Sequence, residues 1–216
     1  MSDRSPTPSA VVFDLGGVLI DWDPRYLYRS LFDDEDAMER FLAEVTTAEW
    51  NGRQDAGRPF AEAVASLSQQ YPEHEELIGA FWSRWTEMLG EAIGPTVEIL
   101  AELRETGVGL YALSNWSAET FPLARPRFPF LDWFDGIVIS GEVRVAKPDE
   151  RIFMHLLDHH GLAASETVFI DDSEANAAAA ASLGLIAIHF EGAGPLRREL
   201  ETLGLLPAAS QRERAS

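Results

Sequence analysis

Asp14 is the residue of this sequence whose position best suits covalent chemistry, because it ends a short apolar run and is followed by Gly16 and Gly17. Glycines beside a strand end let the backbone approach a ligand closely. A carboxylate held there can attack phosphorus or carbon and divide a difficult reaction into two easier steps. An aspartate that only caps a turn shows the same local pattern. Asp14 therefore becomes a catalytic candidate only together with other polar groups.

Two carboxylates stand side by side at Asp171 and Asp172, after another apolar run. Adjacent carboxylates repel each other unless a cation compensates, which favours a hard metal ion. Mg²⁺ prefers a few carboxylates, water and phosphate oxygens to a full protein cage. Asn176 is expected near the start of the next helix, where it can orient Asp172 or Lys147. The pair predicts a Mg²⁺ site, although Ser173 leaves open a simple helix cap.

Three further polar residues follow other apolar runs. Ser114 and Asn115 can hydrogen-bond the oxygens of a transferring group without adding charge. Lys147 can neutralise charge on a nucleophile and on the group transferred. Pro148 disfavours a helical conformation at the lysine and so fixes where its ammonium emerges. Ser-Asn is also an ordinary turn or cap, and a lone lysine usually lies on the surface.

Short apolar runs, several stopped by glycine, predict the strands that must hold these groups. They cover residues 10–15, 108–113, 136–140, 167–171 and 185–190. Helical patterns lie between them, at residues 96–105, 149–160 and 174–183. Strands alternating with helices predict an α/β fold with a parallel sheet, whose ligand crevice lies at the carboxyl ends of the strands. The four polar groups are therefore expected to converge there.

One long stretch breaks this alternation and predicts an inserted all-helical cap. Its helical segments are residues 24–32, 36–45, 59–71 and 75–88. Residues 47–57 form a polar connection between them. The candidates for substrate binding in the cap are Trp50, Asn51, Arg53, Gln54 and Arg58. The predicted organisation is a core of residues 10–22 and 91–207, a cap of residues 23–90, and frayed tails at 1–9 and 208–216.

Four segments of the sequence resemble the motifs of the haloacid dehalogenase-like (HAD) superfamily of hydrolases. They are Phe13-Asp14-Leu15-Gly16-Gly17-Val18, Leu113-Ser114-Asn115, Lys147-Pro148 and Ile170-Asp171-Asp172-Ser173-Glu174-Ala175-Asn176. The resemblance covers about residues 10–192, and the helical insertion is similar to the C1-type cap of that family. It implies a Rossmann-like core with a cap, acting as a Mg²⁺-dependent hydrolase of small phosphorylated metabolites such as sugar phosphates.

The resemblance also implies catalytic roles. Asp14 would be the nucleophile that forms an aspartyl-phosphate. Ser114 would bind the transferring phosphoryl group, with Asn115 beside it, and Lys147 would steady the charged intermediate.

The implied metal site uses oxygen ligands. Mg²⁺ would be bound by the Asp14 carboxylate, the backbone carbonyl of Gly16 and Asp172. Asp171 would be a second acidic ligand or a partner behind the ligands, and Asn176 would support them.

Gly16 departs from the pattern of the family's phosphatases, which usually carry an aspartate there as general acid/base. Proton transfer of that kind is worth about 10²- to 10⁴-fold in rate. Asp21, and less closely Asp23, could replace it from the segment that follows. Some sugar-phosphate phosphatases of this superfamily also have glycine here, so the change does not imply inactivity.

Two alternatives to a phosphatase stay open. A 2-haloacid dehalogenase would use the same aspartate without metal, although paired carboxylates would repel its negatively charged substrate. A catalytically impaired binding protein would explain Gly16, although the retained Asp14, Lys147 and Asp172 speak against it.

Composition limits the range of partners. The formal net charge is −19, from 17 Lys and Arg against 36 Asp and Glu, and no basic cluster offsets it for nucleic acid. The absence of cysteine excludes disulfides and thiolate sites. No secretory signal or membrane-length apolar run is recognisable. We expect a cytoplasmic protein, monomeric or homodimeric, without nucleic-acid or membrane partners.

Overall fold

The computed structural model describes residues 7–208 of the chain. The strands in this range are β1 (Ala10–Phe13), β2 (Ile20–Trp22), β3 (Leu89–Ala92), β4 (Gly109–Ser114), β5 (Gly136–Ile139), β6 (Thr167–Asp171) and β7 (Ile186–His189). The α-helices are α1 (Arg25–Tyr28), α2 (Glu35–Glu44), α3 (Ala48–Asp55), α4 (Phe60–Gln70), α5 (Glu75–Ser83), α6 (Gly94–Thr106), α7 (Phe121–Ala124), α8 (Ser140–Val143), α9 (Glu150–His160), α10 (Glu174–Ser182) and α11 (Ala193–Thr202).

Five strands form one parallel sheet in the order β5-β4-β1-β6-β7. The central strand β1 pairs on both edges, with Val12 opposite Tyr111 on β4 and Phe169 on β6. Every residue of β1 is buried, which is the burial expected of a parallel strand covered on both faces. The predicted α/β fold with a parallel sheet is confirmed.

The helices that follow the sheet strands begin and end at recognisable signals. The side chains of Asp149 and Ser173 accept backbone hydrogen bonds at the first turns of α9 and α10. Gly107 and Gly161 end α6 and α9 in the left-handed conformation. These ends fix where the chain re-enters the sheet, and hence where the polar residues after each strand lie.

The inserted helices α1 to α5 share an aromatic core of their own. The ring of Trp50 meets that of Phe81 at 5.1 Å in an edge-on contact, and Tyr28 lies 5.1 Å from Phe41. Phe60 is fully buried between them. Aromatic pairs at such distances add to the free energy gained by burying their area. The cap is therefore a packed unit that can hold side chains in fixed positions.

Residues 47–57 were predicted to be a polar connection, and this prediction is wrong. The segment forms α3, capped by the Thr47 side chain, which accepts a hydrogen bond from Trp50 N–H at 3.0 Å. Its buried residues are Trp50 and Gln54, one helical turn apart. Only one of the two is apolar, so the helix left almost no hydrophobic periodicity in the sequence.

An antiparallel pair of strands, β2 and β3, joins the two chain segments that lead into and out of the inserted helices. The sequence did not predict β3, whose four residues carry a single large apolar side chain. The predicted boundary between residues 90 and 91 falls inside this strand. The division into residues 10–22 and 91–207 against 23–90 stays a prediction.

The predicted tails lie largely outside the described residues. Ser9, at the end of the first tail, already belongs to the sheet. Its N–H donates to the carbonyl of Glu166 at 2.8 Å, and its carbonyl accepts from Gly109 N–H at 3.1 Å. Within the described range, no helix combines the length and the apolar character needed to cross a membrane.

Candidate active site

The carboxyl ends of the neighbouring strands β4, β1 and β6 bring the predicted site residues together. Asp14 follows β1, Ser114 ends β4 and Asp171 ends β6. The backbone N–H of Asp14 donates to the carbonyl of Ile170 at 2.8 Å, which continues the pairing of β1 with β6 into the site. This is the edge at which parallel sheets bind ligands.

Asp14 is nearly buried, with 7% of its surface exposed. Its Oδ1 accepts the N–H of Leu15 at 2.7 Å, and Oδ2 lies 3.0 Å from Nζ of Lys147. Burial raises the pKa of Asp14 to about 6, while the ammonium of Lys147 and a hydrogen bond from Ser114 act in the opposite direction. The carboxylate is thus aimed and partly desolvated, as a nucleophile requires.

The Lys147 ammonium is buried and fully paired. Besides Asp14, it contacts Oδ2 of Asp171 at 2.6 Å and donates to the carbonyl of Leu113 at 2.8 Å. An ammonium has three donors, and all three have oxygen partners here. The desolvation cost of a buried charge is offset only by such complete pairing. Lys147 is therefore held beside Asp14.

The backbone of Lys147 is held by a reciprocal pair of hydrogen bonds to Asn115. The Asn115 amide donates to Lys147 O at 2.9 Å, and its Oδ1 accepts Lys147 N–H at 2.8 Å. Ser114, the neighbouring residue, is buried and its hydroxyl bonds Asp14. These two residues, predicted to contact substrate, have their polar side-chain atoms engaged in positioning Lys147 and Asp14.

Asp171 is completely buried and both of its oxygens are bonded. Oδ2 faces Lys147, and Oδ1 accepts from the amide of Asn176 at 2.9 Å and from Ser173 N–H at 2.9 Å. Asn176 thus orients Asp171, and not Asp172 or Lys147 as the sequence suggested. The resemblance implied that Asp171 is either a second metal ligand or a partner behind the ligands. The structure favours the second role, because Asp171 holds the Lys147 ammonium.

Asp172 completes a cluster of carboxylates. Oxygen atoms of Asp14, Asp171 and Asp172 all lie within 4.8 Å of one another. Partial desolvation raises the pKa of Asp172, and the charge of Asp171 raises it further. Three carboxylates against the single ammonium of Lys147 leave two negative charges in excess. Hard oxygen donors with that excess suit a divalent cation such as Mg²⁺.

Two glycines after the nucleophile have different reasons to be glycine. Gly17 has a φ of +72°, and a Cβ there would clash with the Asp172 carboxylate. A Cβ at Gly16 would meet nothing within 4 Å. Gly17 therefore lets Asp172 approach the backbone after Asp14, whereas Gly16 leaves open space.

A cavity of about 250 Å³ opens between the sheet edge and the inserted helices, with Asp172 of the carboxylate cluster in its wall. Its lining residues are Gly16, Gly17, Trp22, Asn51, Asp55, Trp85, Asn115, Trp116 and Asp172. It adjoins a larger cavity of about 730 Å³ that shares Trp22, Asn51, Asp55 and Asn115. The space admits a small molecule whose reactive end meets the carboxylate cluster.

The family model for haloacid dehalogenase-like hydrolases matches residues 8–184 of this chain. The chain belongs to this family. It is a hydrolase with the HAD fold, as the four sequence motifs indicated.

Three relatives illustrate this membership. The sesquiterpene phosphatase astK of Aspergillus oryzae is 28% identical over 184 residues, covering 85% of this chain and 90% of the relative. The D-ribitol-5-phosphate phosphatase of Bacteroides thetaiotaomicron is 24% identical over 204 residues, covering 89% and 97%. The crystal structure of a HAD family enzyme from Bacteroides thetaiotaomicron, in complex with magnesium and inorganic phosphate, superposes with a TM-score of 0.63. It is 26% identical and covers 82% of this chain and 91% of that one.

Two residues predicted to bind substrate in this HAD-like hydrolase lie away from the cavity. Trp50 is 7% exposed and packs inside the aromatic core of the cap. Arg53 points into solvent and pairs with Glu49 at 2.8 Å. The prediction that these two side chains bind substrate is therefore corrected. Trp50 packs in the core of the cap, and Arg53 forms an ion pair at the surface.

The cavity-facing residues of α3 are Asn51, which the sequence offered as a candidate for substrate binding, and Asp55, which it did not. They are four residues apart and therefore share one helix face. The amide of Asn51 donates to Asp55 Oδ2 at 3.0 Å. Recognition of α3 as a helix would have placed Asp55 on the same face as Asn51.

Asp21, the predicted substitute for the missing acid/base, lies on β2 and accepts a hydrogen bond from the Tyr26 hydroxyl. Its carboxylate packs over Gly90 on β3. It lines the larger cavity but not the smaller one. The structure does not bring Asp21 to the nucleophile.

Replacement of Gly17 by alanine should lower the free energy of unfolding by about 1–3 kcal/mol, because it forces a side chain into the left-handed region and against Asp172. Gly16→Ala is the matched control and should change it by less than about 0.5 kcal/mol. Urea denaturation of both variants measures the difference. Equal destabilisation by the two substitutions would contradict the role assigned to Gly17.

Proposed function

We propose that the protein is a Mg²⁺-dependent phosphatase of small phosphomonoesters that works through a covalent intermediate on Asp14. The observation that carries this proposal is the arrangement of Lys147 between Asp14 and Asp171, with Asp172 open to the cavity on the other side. It combines an aimed nucleophile with an oxygen-rich cation site. Two relatives whose names describe phosphatases support the same reaction.

Each residue has a distinct task in this reaction. The Asp14 carboxylate attacks phosphorus and displaces the alcohol, and water then attacks the aspartyl-phosphate. Lys147 stabilises the negative charge of Asp14 and of the phosphoryl group by its fixed position. Asp171 and Asn115 keep the lysine in that position through its ammonium and its backbone.

The donor set supports Mg²⁺ as the cofactor. Asp14, Asp172 and the backbone carbonyl of Gly16 would hold it, and it would supply positive charge against the phosphoryl oxygens. This assignment is consistent with the excess of two negative charges in the carboxylate cluster. It also agrees with the magnesium and phosphate in the related crystal structure.

The two cavities, of about 250 and 730 Å³, suit a small metabolite as substrate. The organic group would lie among the indoles of Trp22, Trp85 and Trp116 and the polar side chains of Asn51 and Asp55. A sugar phosphate is the class we propose, because it offers hydroxyl groups to the polar side chains and a ring face to the indoles.

The cytoplasmic location and the monomeric or dimeric state stay predictions.

A haloacid dehalogenase is less well supported. Its substrate is itself a carboxylate and would meet the two negative charges that remain in the carboxylate cluster after the Lys147 ammonium is counted. A binding protein without activity does not need a buried, fully paired lysine against a partly desolvated aspartate.

Removal of divalent metal tests the reaction class. Wild-type protein should release phosphate from an activated aryl phosphate with Mg²⁺. Thorough chelation should lower the rate at least about 100-fold, since a metal ion contributes several kcal/mol of charge stabilisation. Added Mg²⁺ should restore the rate. Undiminished turnover of the chelated protein would contradict the proposal and favour the dehalogenase.

The nucleophile is tested by Asp14→Asn. Phosphate release should fall by several orders of magnitude because an amide cannot form the acyl-phosphate. The fold should persist, since Lys147 keeps Asp171 and the Leu113 carbonyl as partners. Asp132→Asn, at an exposed carboxylate paired with Arg125, is the control and should keep full activity. Activity of Asp14→Asn above a few per cent would exclude covalent catalysis at this residue.

A further inference from the structure

Asp55 is a carboxyl that reaches the cavity from the cap, where it lies among the side chains proposed to contact the organic group of the substrate. We propose that Asp55 is the general acid and base of the reaction. Because position 16 is a glycine, the core domain offers no proton donor there. This inference rests on the proposed phosphatase function and adds to it the residue that moves the proton.

The position of Asp55 is fixed from both layers of the molecule. Within the cap, the Asn51 amide donates to its Oδ2 at 3.0 Å. From the core, the backbone N–H of Ser117 bonds its carboxylate, and the Ser140 hydroxyl donates to its backbone carbonyl. A group held by partners on two elements keeps its place over the cavity, as proton transfer in a transition state requires.

The surroundings of Asp55 suit a carboxyl that must carry a proton near neutral pH. Burial raises the pKa of Asp55 to about 7, and the negative charge of Asp14 also raises it, against the hydrogen bond from Ser117. General acids and bases work best when their pKa lies near the operating pH. An ordinary surface aspartate, by contrast, would be ionised throughout.

The other carboxyls near the cavity have different tasks. Asp172 is the second carboxyl among the residues that line the smaller cavity, and it is assigned to the cation. Asp21 faces Tyr26 and Gly90 instead. Asp55 is therefore the lining carboxyl that remains available for the alcohol oxygen.

Asp55 gives up one proton in the first step of the reaction and regains one in the second, so the protons balance over the two steps. In the first, the bond from Asp14 Oδ to phosphorus forms and the bond from phosphorus to the alcohol oxygen breaks, while the Asp55 carboxyl gives its proton to that oxygen. In the second, water attacks phosphorus and the Asp14–phosphorus bond breaks. The Asp55 carboxylate takes the proton of the water, which returns the enzyme to its starting state and releases inorganic phosphate.

The test compares an alkyl phosphate with 4-nitrophenyl phosphate on wild type and Asp55→Asn. Proton donation matters for a poor leaving group and little for a good one. The variant should therefore lose about 10²- to 10⁴-fold in kcat/KM on the alkyl phosphate. Its loss on the aryl phosphate should be at least tenfold smaller, so the aryl-to-alkyl ratio of kcat/KM should rise by about tenfold or more.

If Asp55 had only a structural role, its substitution would lower kcat/KM equally for both substrates. An unchanged aryl-to-alkyl ratio would therefore overturn the proposal. Glu49→Gln, on the same helix but paired with Arg53 in solvent, should leave the ratio as in wild type. A raised ratio in Asp21→Asn instead of Asp55→Asn would overturn it too, since the donor would then be Asp21.

A measurement on wild type alone keeps the proposal testable should Asp55→Asn fail to fold. Across a series of esters, kcat/KM should depend only weakly on the pKa of the leaving alcohol. A steep dependence in wild type would overturn the assignment while leaving the phosphatase function intact. A wild type that releases phosphate from none of these esters would overturn the phosphatase function itself and, with it, the role of Asp55.

Discussion

The buried ammonium of Lys147 is the charge on which the rest of the site depends. An unpaired ammonium at this depth would cost several kcal/mol, so three oxygens must reach it. They come from the ends of β1, β4 and β6, in Asp14, Leu113 and Asp171. The pairing therefore ties the Asp14 carboxylate to the register of the parallel sheet. It also accounts for Asn115 and Asn176, which hold the lysine backbone and the Asp171 carboxylate.

The cavity is lined by both the sheet edge and the cap, which contribute different chemical groups. The sheet edge provides the charged groups, which are buried and bonded to one another. The cap provides α3, whose inner side packs through Trp50 into an aromatic core. Its cavity side presents Asn51 and Asp55. A helix braced in this way can place polar groups with the precision that a site requires, which a connecting loop could not.

The sequence predicted most of the features that depend on where strands end. It predicted few of the features that depend on which face of a helix a side chain occupies. The expected convergence of Asp14, Lys147 and Asp172 followed from their places at or after the ends of short apolar runs, because strand ends meet at one edge. Trp50 and Arg53 were misassigned because α3 was taken for a loop. Along a helix, one step of the chain turns a side chain by about 100°, so neighbours face different surroundings. The partners of Asn176 and Asp21 depend on tertiary contacts that no local pattern encodes.

Gly16 has a consequence for the shape of the site as well as for its chemistry. It lines the cavity, and the position of its absent side chain is open on every side within 4 Å. A side chain at this position would project into open space at the cavity wall, which also includes Trp22, Trp85 and Trp116. Under the proposed function, the room left by glycine would admit a bulkier or more branched alcohol group. The tryptophans around the cavity would then contribute more to selectivity than the core strand does.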